Sequence, residues 1–492
     1  MAIRKVCGIE TEYGIHVLDG DQNPIAASSV LVNAYAHLVA RQQTGWDFED
    51  ESPGTDARGY TREGAMPPQI ETHLVNTVLT NGARFYVDHA HPEYSSPECG
   101  DPLECVRYDR AGEEVLRRAV AAALAQGRRL AVYKNNSDGK GNSYGTHENY
   151  LMDREVPFAR IVAGITPHFV TRQIFAGAGK VGVETPGTEA VPFQISQRAE
   201  FFEEPVGLET TLKRPIVNTR DEPHADAHRY RRLHVIVGDA NLADVANFLK
   251  VGTTALVLAM IEDAAGPARP LELADPVREI RRVARDPTLA TVVDLADGST
   301  ATALELQWEL LEAGRKYAQE RGLECLGPPD VGALVLDRWE EVLAGLEVDP
   351  AGLSGQLDWV AKLRLLEGYR DRHGLDWDDD RLAALDLQYH DLRPDRSLFA
   401  RLPMERLVAD EDVATAVTEA PRDTRAWFRG ACLTRWPDAV VSANWDSLVF
   451  DLGTDPLRRI PMMDPLRGTA EHVEELLRQS ADAADLIARL GR

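Results

Sequence analysis

Two short segments of the chain carry polar side chains in a spacing suited to chemistry. The first is residues 81–94, Asn-Gly-Ala-Arg-Phe-Tyr-Val-Asp-His-Ala-His-Pro-Glu-Tyr, in which an Asn-Gly turn signal precedes a β-prone run. Because side chains alternate between faces along a strand, Arg84, Tyr86 and Asp88 share one face and the residues between them face a core. A cation, a phenol and a carboxylate on one face are suited to holding an anionic ligand beside a reacting group. Glu93 follows five positions after Asp88, past a proline.

The second segment is residues 5–14, Lys-Val-Cys-Gly-Ile-Glu-Thr-Glu-Tyr-Gly. Strand alternation places Glu10 and Glu12 on one face, with Ile9 and Thr11 on the other. Carboxylates on a rigid strand are the oxygen ligands that hard cations such as Mg²⁺ prefer. Taken as patterns alone, both segments fit an ordinary solvent-facing edge strand equally well, so the alternative stays open at this point.

The bulk composition is that of a soluble globular protein with more than one domain. The chain has 492 residues, of which 44% are hydrophobic and 27% are charged. We expect a cytoplasmic protein without a membrane segment, because no apolar run is long enough to span a bilayer and no hydrophobic signal segment follows the first residues. The cysteines lack paired zinc spacing and suit reduced thiols; they are Cys7, Cys99, Cys105, Cys325 and Cys432.

The net charge argues against generic nucleic-acid binding. The chain carries 54 basic and 79 acidic residues, a net charge of −25, whereas nucleic-acid binding needs a basic footprint. An anionic ligand such as ATP must therefore be held by a local cluster of arginines and metal ions, since the overall field would repel it.

The elements that must position these residues are predicted from periodicity and capping signals. Asp101 and Gly127 are the start and stop signals of one amphipathic helix. Strands are predicted at 130–134 and at 233–237, the second with Arg232 and His234 on its polar face, and an apolar helix at 242–263. Strands followed by amphipathic helices favour an α+β or mixed α/β fold.

Two regions differ from this pattern. Residues 41–79 are charged, contain Pro and Gly and are weakly periodic, which predicts a long mobile loop. The last ninety residues contain Pro437, Pro461 and Pro465 and end in an amphipathic helix predicted from about Thr469. They could form a small separate domain packed on the first.

Three local motifs have competing interpretations. His89 and His91 with Glu93 could hold zinc, but zinc prefers Cys and His, and the neighbouring groups are carboxylates and a tyrosine. The Gly-rich turn at 139–145 lacks both the P-loop and the dinucleotide fingerprint. Residues 219–226 are equally consistent with a phosphate clamp and with a solvated ion-pair loop. Neither Cys7 nor Cys99 has a local signature of a nucleophile.

Taken together, the motifs resemble the Pup ligase/deamidase family, where Pup is the prokaryotic ubiquitin-like protein. The resemblance covers nearly the whole chain. It is carried by Gly-Ile-Glu-Thr-Glu-Tyr-Gly, Asn-Gly-Ala-Arg-Phe-Tyr-Val-Asp, His-Pro-Glu-Tyr, Lys-Asn-Asn-Ser-Asp, Gly-Asn-Ser-Tyr-Gly-Thr-His-Glu-Asn-Tyr, Asn-Thr-Arg-Asp-Glu-Pro-His-Ala-Asp and Arg-Arg-Leu-His-Val-Ile-Val-Gly-Asp-Ala-Asn.

The resemblance implies an α+β fold similar to glutamine synthetase. In that fold a curved antiparallel sheet, backed by helices, cradles ATP and a divalent metal beside a small C-terminal domain. We expect a catalytic domain at 1–400, interrupted by the mobile insertion at 41–79. A C-terminal domain at 401–492 would contribute to the nucleotide site.

The family has two branches, and this chain resembles the one that deamidates and removes Pup. That branch carries an insertion corresponding to 41–79, whereas ligases have a short connection there and typically one more residue between the strand Asp and His-Pro-Glu. The resemblance implies deamidation of the C-terminal Gln of Pup and cleavage of Pup–lysine isopeptide bonds, in a pathway linked to the bacterial proteasome. The alternatives are a Pup–protein ligase that hydrolyses ATP, a non-catalytic protein that binds ATP and Pup, and a small-molecule carboxylate–amine ligase.

Roles carried over from the family fall on positions that match its motifs. Asp88 is the catalytic aspartate, either a nucleophile or a general base, and is expected beside the metal ligands rather than among them. The implied metal ligands, for Mg²⁺ or Mn²⁺, are Glu10, Tyr86 and Glu93, with His147 and His234 at a second position. The implied contacts of ATP, bound as a cofactor without stoichiometric consumption, are Arg84, Ser96, Arg220, Arg232 and Trp445.

Overall fold

A computed structural model of the protein describes residues 1–20, 22–39, 44–48, 51–61, 75–184 and 187–491. Its strands β1–β20 are Cys7–Glu12, Gly14–Val17, Gly45–Trp46, Thr55–Asp56, Tyr60–Thr61, Asn76–Val78, Arg84–Asp88, His91–Ser95, Leu130–Tyr133, Thr146–Asp153, Lys180–Val181, Phe193–Gln194, Phe202–Gly207, Arg214–Asn218, Tyr230–Val235, Val292–Asp294, Thr300–Thr302, Val440–Ala443, Ser447–Phe450 and Arg458–Pro461. Its helices α1–α14 are Pro24–Val39, Pro102–Ala125, Phe158–Thr171, Gln173–Ala176, Asp244–Glu262, Pro276–Ala284, Ala303–Arg321, Pro329–Val348, Asp358–His373, Asp380–Tyr389, Asp410–Ala416, Ala426–Arg435, Ala470–Gln479 and Ala483–Leu490.

A six-stranded antiparallel sheet organises the N-terminal part of the chain, in the order β15-β10-β1-β8-β7-β6. The predicted Asn-Gly turn joins β6 to β7: Gly82 has φ +82°, and the Asn81 side chain accepts a hydrogen bond from the Ala83 amide at 3.0 Å. The predicted alternation is confirmed, since Phe85 and Val87 are buried in the core. The opposite face of this sheet lines a cavity.

Helices α2 and α5 cover the core face of the sheet. The predicted start of α2 is confirmed, because the Asp101 carboxylate accepts from the amides of Leu103 and Glu104 at 2.8 Å and Pro102 occupies the first turn. Gly127, at φ +77°, follows its end.

Several predicted strands and helices begin or end at different residues in the structure. The strand expected at 233–237 spans Tyr230–Val235, and the helix expected at 242–263 spans Asp244–Glu262. The amphipathic helix predicted from about Thr469 is confirmed, since Thr469 caps α13, but α13 ends at Gln479 and Asp482 caps a second helix, α14.

The helix α5 also corrects the expectation that no apolar run could span a bilayer. By length and composition its 19 residues are sufficient to do so, with a mean hydropathy of 1.4 over the most apolar window, yet that whole window is buried inside the protein. Because α5 is surrounded by protein on all sides, its apolar residues are already removed from water, as in the core helix of a large protein.

The segment 41–79 is only partly loop. Residues 41–43, 49–50 and 62–74 lie outside the described residues, so the prediction of mobility is untested there. Within the described part, β6 at 76–78 forms the edge of the main sheet, and β3 at 45–46 pairs in parallel with β18. The prediction of a loop through residue 79 was therefore wrong at β6, where three residues of regular pairing carry too little periodicity to be recognised.

The C-terminal part has an apolar cluster of its own, built from residues between 428 and 487, over a four-stranded sheet in the order β20-β19-β18-β3. Glu98, just after β8, joins it to the main sheet: its carboxylate accepts from Arg425 Nε at 2.7 Å and from the Arg429 guanidinium. The domain boundary at 400/401 stays a prediction.

Candidate active site

A cavity of about 510 Å³ opens over the polar face of the six-stranded sheet. It contains all the predicted site residues except Ser96, together with several that were not predicted. Its charged and aromatic lining includes Glu10, Glu12, Arg84, Tyr86, Asp88, Glu93, His147, Arg198, Arg214, Arg220, Glu222, His224, Arg232, His234 and Trp445.

The first group of potential metal ligands consists of Glu10, His147 and His234, whose ligand atoms all lie within 4.8 Å of one another. Strand register creates this group, because Glu10 on β1 pairs with His147 on β10. His234 on the next strand, β15, pairs with Asn149. The Asn149 amide donates to Glu10 Oε1 at 2.8 Å and so fixes the carboxylate between the two rings.

Positive neighbours set the charge state of this first group. Burial raises the pKa of Glu10, but the hydrogen bond from His147 and the charges of His234 and Arg232 outweigh it, so the pKa of Glu10 falls below its ordinary value. Burial and the Arg232 charge hold the pKa of His234 well below its ordinary value. A carboxylate and a neutral imidazole are the forms that ligate metals.

The second group consists of Glu12, Asp88 and Glu93, again with ligand atoms within 4.8 Å of one another. Glu12 and Glu93 lie directly opposite each other on β1 and β8, and Asp88 ends β7. The Gly145 amide donates to Glu12 Oε2 at 2.9 Å, and the Tyr86 hydroxyl donates to Glu93 Oε1 at 2.5 Å. These hydrogen bonds hold two of the three carboxylates in place.

Like charges dominate this second group. Burial, followed by the charges of Asp88, Glu12 and Glu10, raises the pKa of Glu93 well above its ordinary value. Burial also raises the pKa of Asp88, but a hydrogen bond and the charge of His89, whose Nδ1 lies 3.0 Å from Asp88 Oδ2, lower it overall. Three carboxylates this close fit a hard cation, which would neutralise their repulsion.

The structure places two of the predicted residues as follows, and their roles stay predictions. Asp88 lies among potential ligands, because it ends β7 close to the carboxylates of Glu12 and Glu93. Glu10 groups with the two histidines rather than with Glu93, because pairing with β10 turns it toward them. The hydroxyl of Tyr86 is hydrogen-bonded to Glu93, so it supports a ligand whether or not it binds metal itself.

Aromatic rings pack around Arg84 and form one wall beside the cavity. The Arg84 guanidinium carbon lies 4.0 Å from the Trp46 ring centroid and 3.8 Å from that of Tyr86. Trp46, which comes from the 41–79 segment, contacts Trp445 edge-on with ring centroids 5.2 Å apart. Residue 46 and the C-terminal part of the chain therefore build one wall together.

The remaining predicted nucleotide contacts are distributed over two cavities. Arg232 Nη1 donates to Asn149 Oδ1 at 2.5 Å, and Arg220 lies 3.9 Å from the Glu222 carboxylate. Ser96 lines a smaller cavity next to Trp445, and its hydroxyl is bonded to two backbone groups, accepting from the Ile9 amide and donating to the Pro97 carbonyl, both at 3.0 Å. The predicted contact of Ser96 with the nucleotide stays a prediction.

The acidic and basic loop at 219–226 resolves into buried ion pairs. Glu222 is 7% exposed and lies 3.8–3.9 Å from Arg220, His224 and Arg232. Burial, followed by the Arg232 charge, lowers the pKa of His224 to about 3. Arg220, Glu222 and His224 line the cavity, so the loop contains ion pairs there, and its role as a phosphate clamp stays a prediction.

Sequence reasoning assigned no role to several residues of this region. Glu12 was placed on the correct face, but no role was assigned to it. Arg198 and Arg214, which line the cavity, lie outside every motif that was recognised. Trp46, whose ring contacts Arg84, lies in a segment predicted to be loop. Only Glu12 had a usable signal, its i, i+2 spacing from Glu10.

Comparison with known proteins places this geometry in one family. The family described as Pup-ligase protein matches residues 5–449. The chain is 53% identical to a depupylase of Acidothermus cellulolyticus and 49% identical to a Pup deamidase/depupylase of Mycobacterium tuberculosis, in each case over 99% of both chains. It is 38% identical to a Pup–protein ligase of Xylanimonas cellulosilytica, over 96% of this chain and 99% of the ligase.

Solved structures agree with the sequence comparison. The ligase PafA in complex with the prokaryotic ubiquitin-like protein Pup has a TM-score of 0.80 and 32% identity, covering 99% of this chain and 94% of PafA. PafA in complex with ADP has a TM-score of 0.74 and 34% identity, covering 89% of this chain and 97% of that one. The α+β fold expected from the sequence is confirmed.

Proposed function

Because this chain belongs to the Pup-ligase family, we propose that it is the hydrolase of that family, converting the C-terminal Gln of Pup to Glu and cleaving Pup–lysine isopeptide bonds. The observation that carries the proposal is the gradient of identity. Over almost the same length, identity is 49–53% to the deamidase and depupylase relatives and 38% to the ligase. Both reactions break a carbon–nitrogen bond of a carboxamide, so one site serves both.

The Pup–protein ligase is the second candidate, because ligase and hydrolase have similar folds and both require a site for a carboxylate or an amide. A protein that only binds ATP and Pup is a third. Against it stands Asp88, a carboxylate with a perturbed pKa beside Glu12 and Glu93 in the cavity, which is typical of a catalytic group.

The cavity fits a nucleotide with divalent cations. Arg84, Arg220 and Arg232 supply positive charge in a protein of net charge −25, and Trp445 supplies an aromatic face beside the smaller cavity. Carboxylates in both potential metal groups suit Mg²⁺ or Mn²⁺, and the imidazoles of the first group favour Mn²⁺ over Mg²⁺. A cation bound there would polarise the reacting carbonyl and stabilise negative charge on its oxygen.

Asp88 is the residue proposed to act on the amide. As a nucleophile, its carboxylate would attack the carbonyl carbon. The carbon–nitrogen bond would break, and the nitrogen would take a proton from water and leave as ammonia from glutamine or as the lysine amine from an isopeptide. Water would then open the resulting anhydride and regenerate Asp88. As a general base, Asp88 would instead take a proton from the water that attacks. Both routes need an ionised Asp88, and His89 favours that form.

Amide hydrolysis proceeds without net consumption of ATP. We therefore treat ATP as a bound cofactor that completes the cavity rather than as a fuel. The proposed partners are Pup and pupylated proteins, with a functional link to the bacterial proteasome in the cytoplasm, and without nucleic acid or membrane.

Mass spectrometry of Gln-ended Pup, incubated with this protein, ATP and Mg²⁺, tests the proposal. We expect the mass change of amide-to-acid conversion without matching loss of ATP. Conjugation of Glu-ended Pup to lysine with release of ADP would move the assignment to the ligase. Absence of both reactions would favour the binding protein.

A further inference from the structure

The third carboxylate of the Glu12–Asp88–Glu93 group is supported differently from the other two. Those two are held by a backbone amide and by a phenol hydroxyl. Asp88 ends β7, and its side chain is 28% exposed. In the described part of the chain, the only hydrogen bond of its carboxylate joins Oδ2 to Nδ1 of His89, at 3.0 Å. The orientation of this carboxylate therefore depends on one neighbouring side chain.

His89 occupies a turn position that glycine normally fills. The strands β7 and β8 pair with Asp88 opposite His91, so His89 and Ala90 alone form the turn between them. Hairpin turns of two residues need a positive φ at the first position, which favours glycine. His89 has φ +50° there. Residues other than glycine are uncommon in this conformation, and those that the surrounding structure maintains are found mainly at functional sites.

The turn also explains how the imidazole reaches the carboxylate of the preceding residue. Successive side chains along a strand point to opposite faces, so an extended residue at position 89 would point away from Asp88. The positive φ turns the chain at His89, and the imidazole lies beside the carboxylate instead. The His89 side chain is 57% exposed, so packing against the core does not account for its position.

The hydrogen bond distinguishes the two oxygens of Asp88. An ionised carboxylate only accepts hydrogen bonds, so Nδ1 of His89 carries the proton in this contact. Because Oδ2 is held, Oδ1 is the oxygen that remains to act on an amide. A nucleophile must approach the carbonyl carbon from a narrow range of directions, and a general base must lie within hydrogen-bond reach of the attacking water. Both routes therefore gain from a carboxylate that cannot rotate.

We infer that His89 is a positioning residue, which holds Oδ2 of Asp88 so that Oδ1 faces the scissile amide. This inference rests on the proposed function. It concerns the orientation of Asp88 rather than its charge, because it requires a hydrogen-bond donor at the position of Nδ1 and no positive charge. It requires no contact between His89 and Pup or the nucleotide.

The test uses two substitutions at residue 89, both of which tolerate a positive φ. His89→Gly removes the donor. His89→Asn keeps an N–H donor on an atom bonded to Cγ, as Nδ1 is, but carries no charge at any pH. We expect His89→Gly to lower kcat for deamidation of Gln-ended Pup by about tenfold with little change in KM, and His89→Asn to retain at least about a third of the wild-type kcat.

Ala264→Gly is the matched control for a glycine placed at a positive φ. Ala264 has φ +51° and does not line the cavity, so this variant should keep the wild-type kcat. An unchanged kcat in His89→Gly would overturn the inference. An equal loss in His89→Asn would also overturn it, because the charge of the histidine would then be what matters. A loss confined to KM would overturn it too, and would assign His89 to substrate binding.

Failure of the proposed function is distinguishable from failure of this inference. Crystal structures of the wild type and of His89→Gly, both grown in a chelator so that no cation holds the carboxylate, show the orientation of Asp88 without turnover. We expect one Asp88 conformer in the wild type and a different or a second conformer in the variant. A wild type that hydrolyses no Pup substrate but shows this difference would refute the hydrolase and retain the positioning role. The same single conformer in both structures would refute the positioning role.

Discussion

Glu10 and Glu12 lie on the same face of β1, two residues apart, but each belongs to a different group of side chains with opposite electrostatic surroundings. Around Glu10, the histidines 147 and 234 and Arg232 lower the pKa of the carboxyl despite its burial. Around Glu12, the neighbours are Asp88 and Glu93, and burial together with these like charges raises the pKa of Glu93. The adjacent strands, rather than β1 itself, decide this difference.

The two groups differ in how their negative charge is balanced. The Glu10 group is balanced by positive charge that the chain itself provides, so it is preassembled for ligand binding. The Glu12–Asp88–Glu93 group is held together by hydrogen bonds to Gly145 and Tyr86 against its own repulsion. Because Asp88, the residue proposed to act on the amide, belongs to the unbalanced group, a cation bound in the cavity would change its charge state.

The largest expected effect comes from removing the charge of Asp88 while keeping its shape. Asp88→Asn should lower kcat for deamidation by about 10²–10⁴-fold or more, because neither a nucleophile nor a general base remains. ATP affinity, measured by titration calorimetry, should change little. Asp19→Asn, at an exposed position, is the matched control. Near-normal turnover by a pure Asp88→Asn sample would refute the role assigned to Asp88.

Substituting one glutamate in each group should change stability in opposite directions. In the presence of a chelator, Glu93→Gln should raise the thermal midpoint because it removes repulsion, whereas Glu10→Gln should lower it because it removes favourable contacts with positive neighbours. Each effect is expected to be about 1 kcal/mol. Calorimetry of both variants checks this, and a shift in the same direction for both would contradict the comparison. Both variants should bind Mn²⁺ more weakly.

The same contrast predicts a pH dependence of stability. Because folding raises the pKa of Glu93, the folded state binds more protons, and stability in chelator should fall as pH rises above the ordinary glutamate range. Folding lowers the pKa of Glu10, so its contribution is lost only as pH falls through that lowered value. Urea unfolding between about pH 5 and pH 8 should therefore give a flatter profile for Glu93→Gln than for the wild type. Parallel profiles would contradict this assignment.

The smallest loss of ligand affinity is expected at the wall formed by Trp46, Arg84 and Trp445. Trp46→Ala removes a ring that lies against Arg84 and should weaken ATP binding by roughly two- to fivefold, since a cation–π contact contributes at least about 0.5–1 kcal/mol. Binding of Mn²⁺ should not change. Trp377→Ala, which removes a ring stacked on Arg370 outside the cavity, is the matched control. Equal loss of ATP affinity in both variants would point to a general effect on folding.

Much of the site was predictable because it is built on period-two strands. The alternation in residues 81–94 placed Arg84, Tyr86 and Asp88 on the cavity face, and the cap at Asp101 fixed the start of α2. Trp46 could not be found in this way, because β3 has only two residues and pairs with a strand almost four hundred positions away. Pairing at that separation leaves no local pattern.

The sequence by itself determined which side chains share a face, because alternation along a strand and capping at a helix end are local properties of the backbone. It also carried the family resemblance, through long ordered motifs. Only the tertiary structure decided which groups meet across strands: that Glu10 faces two histidines, that Glu12 faces Glu93 and Asp88, and that Arg198 and Arg214 converge on Ser143. Charge balance and the resulting pKa shifts arise from those long-range pairings, so no window of sequence contains them.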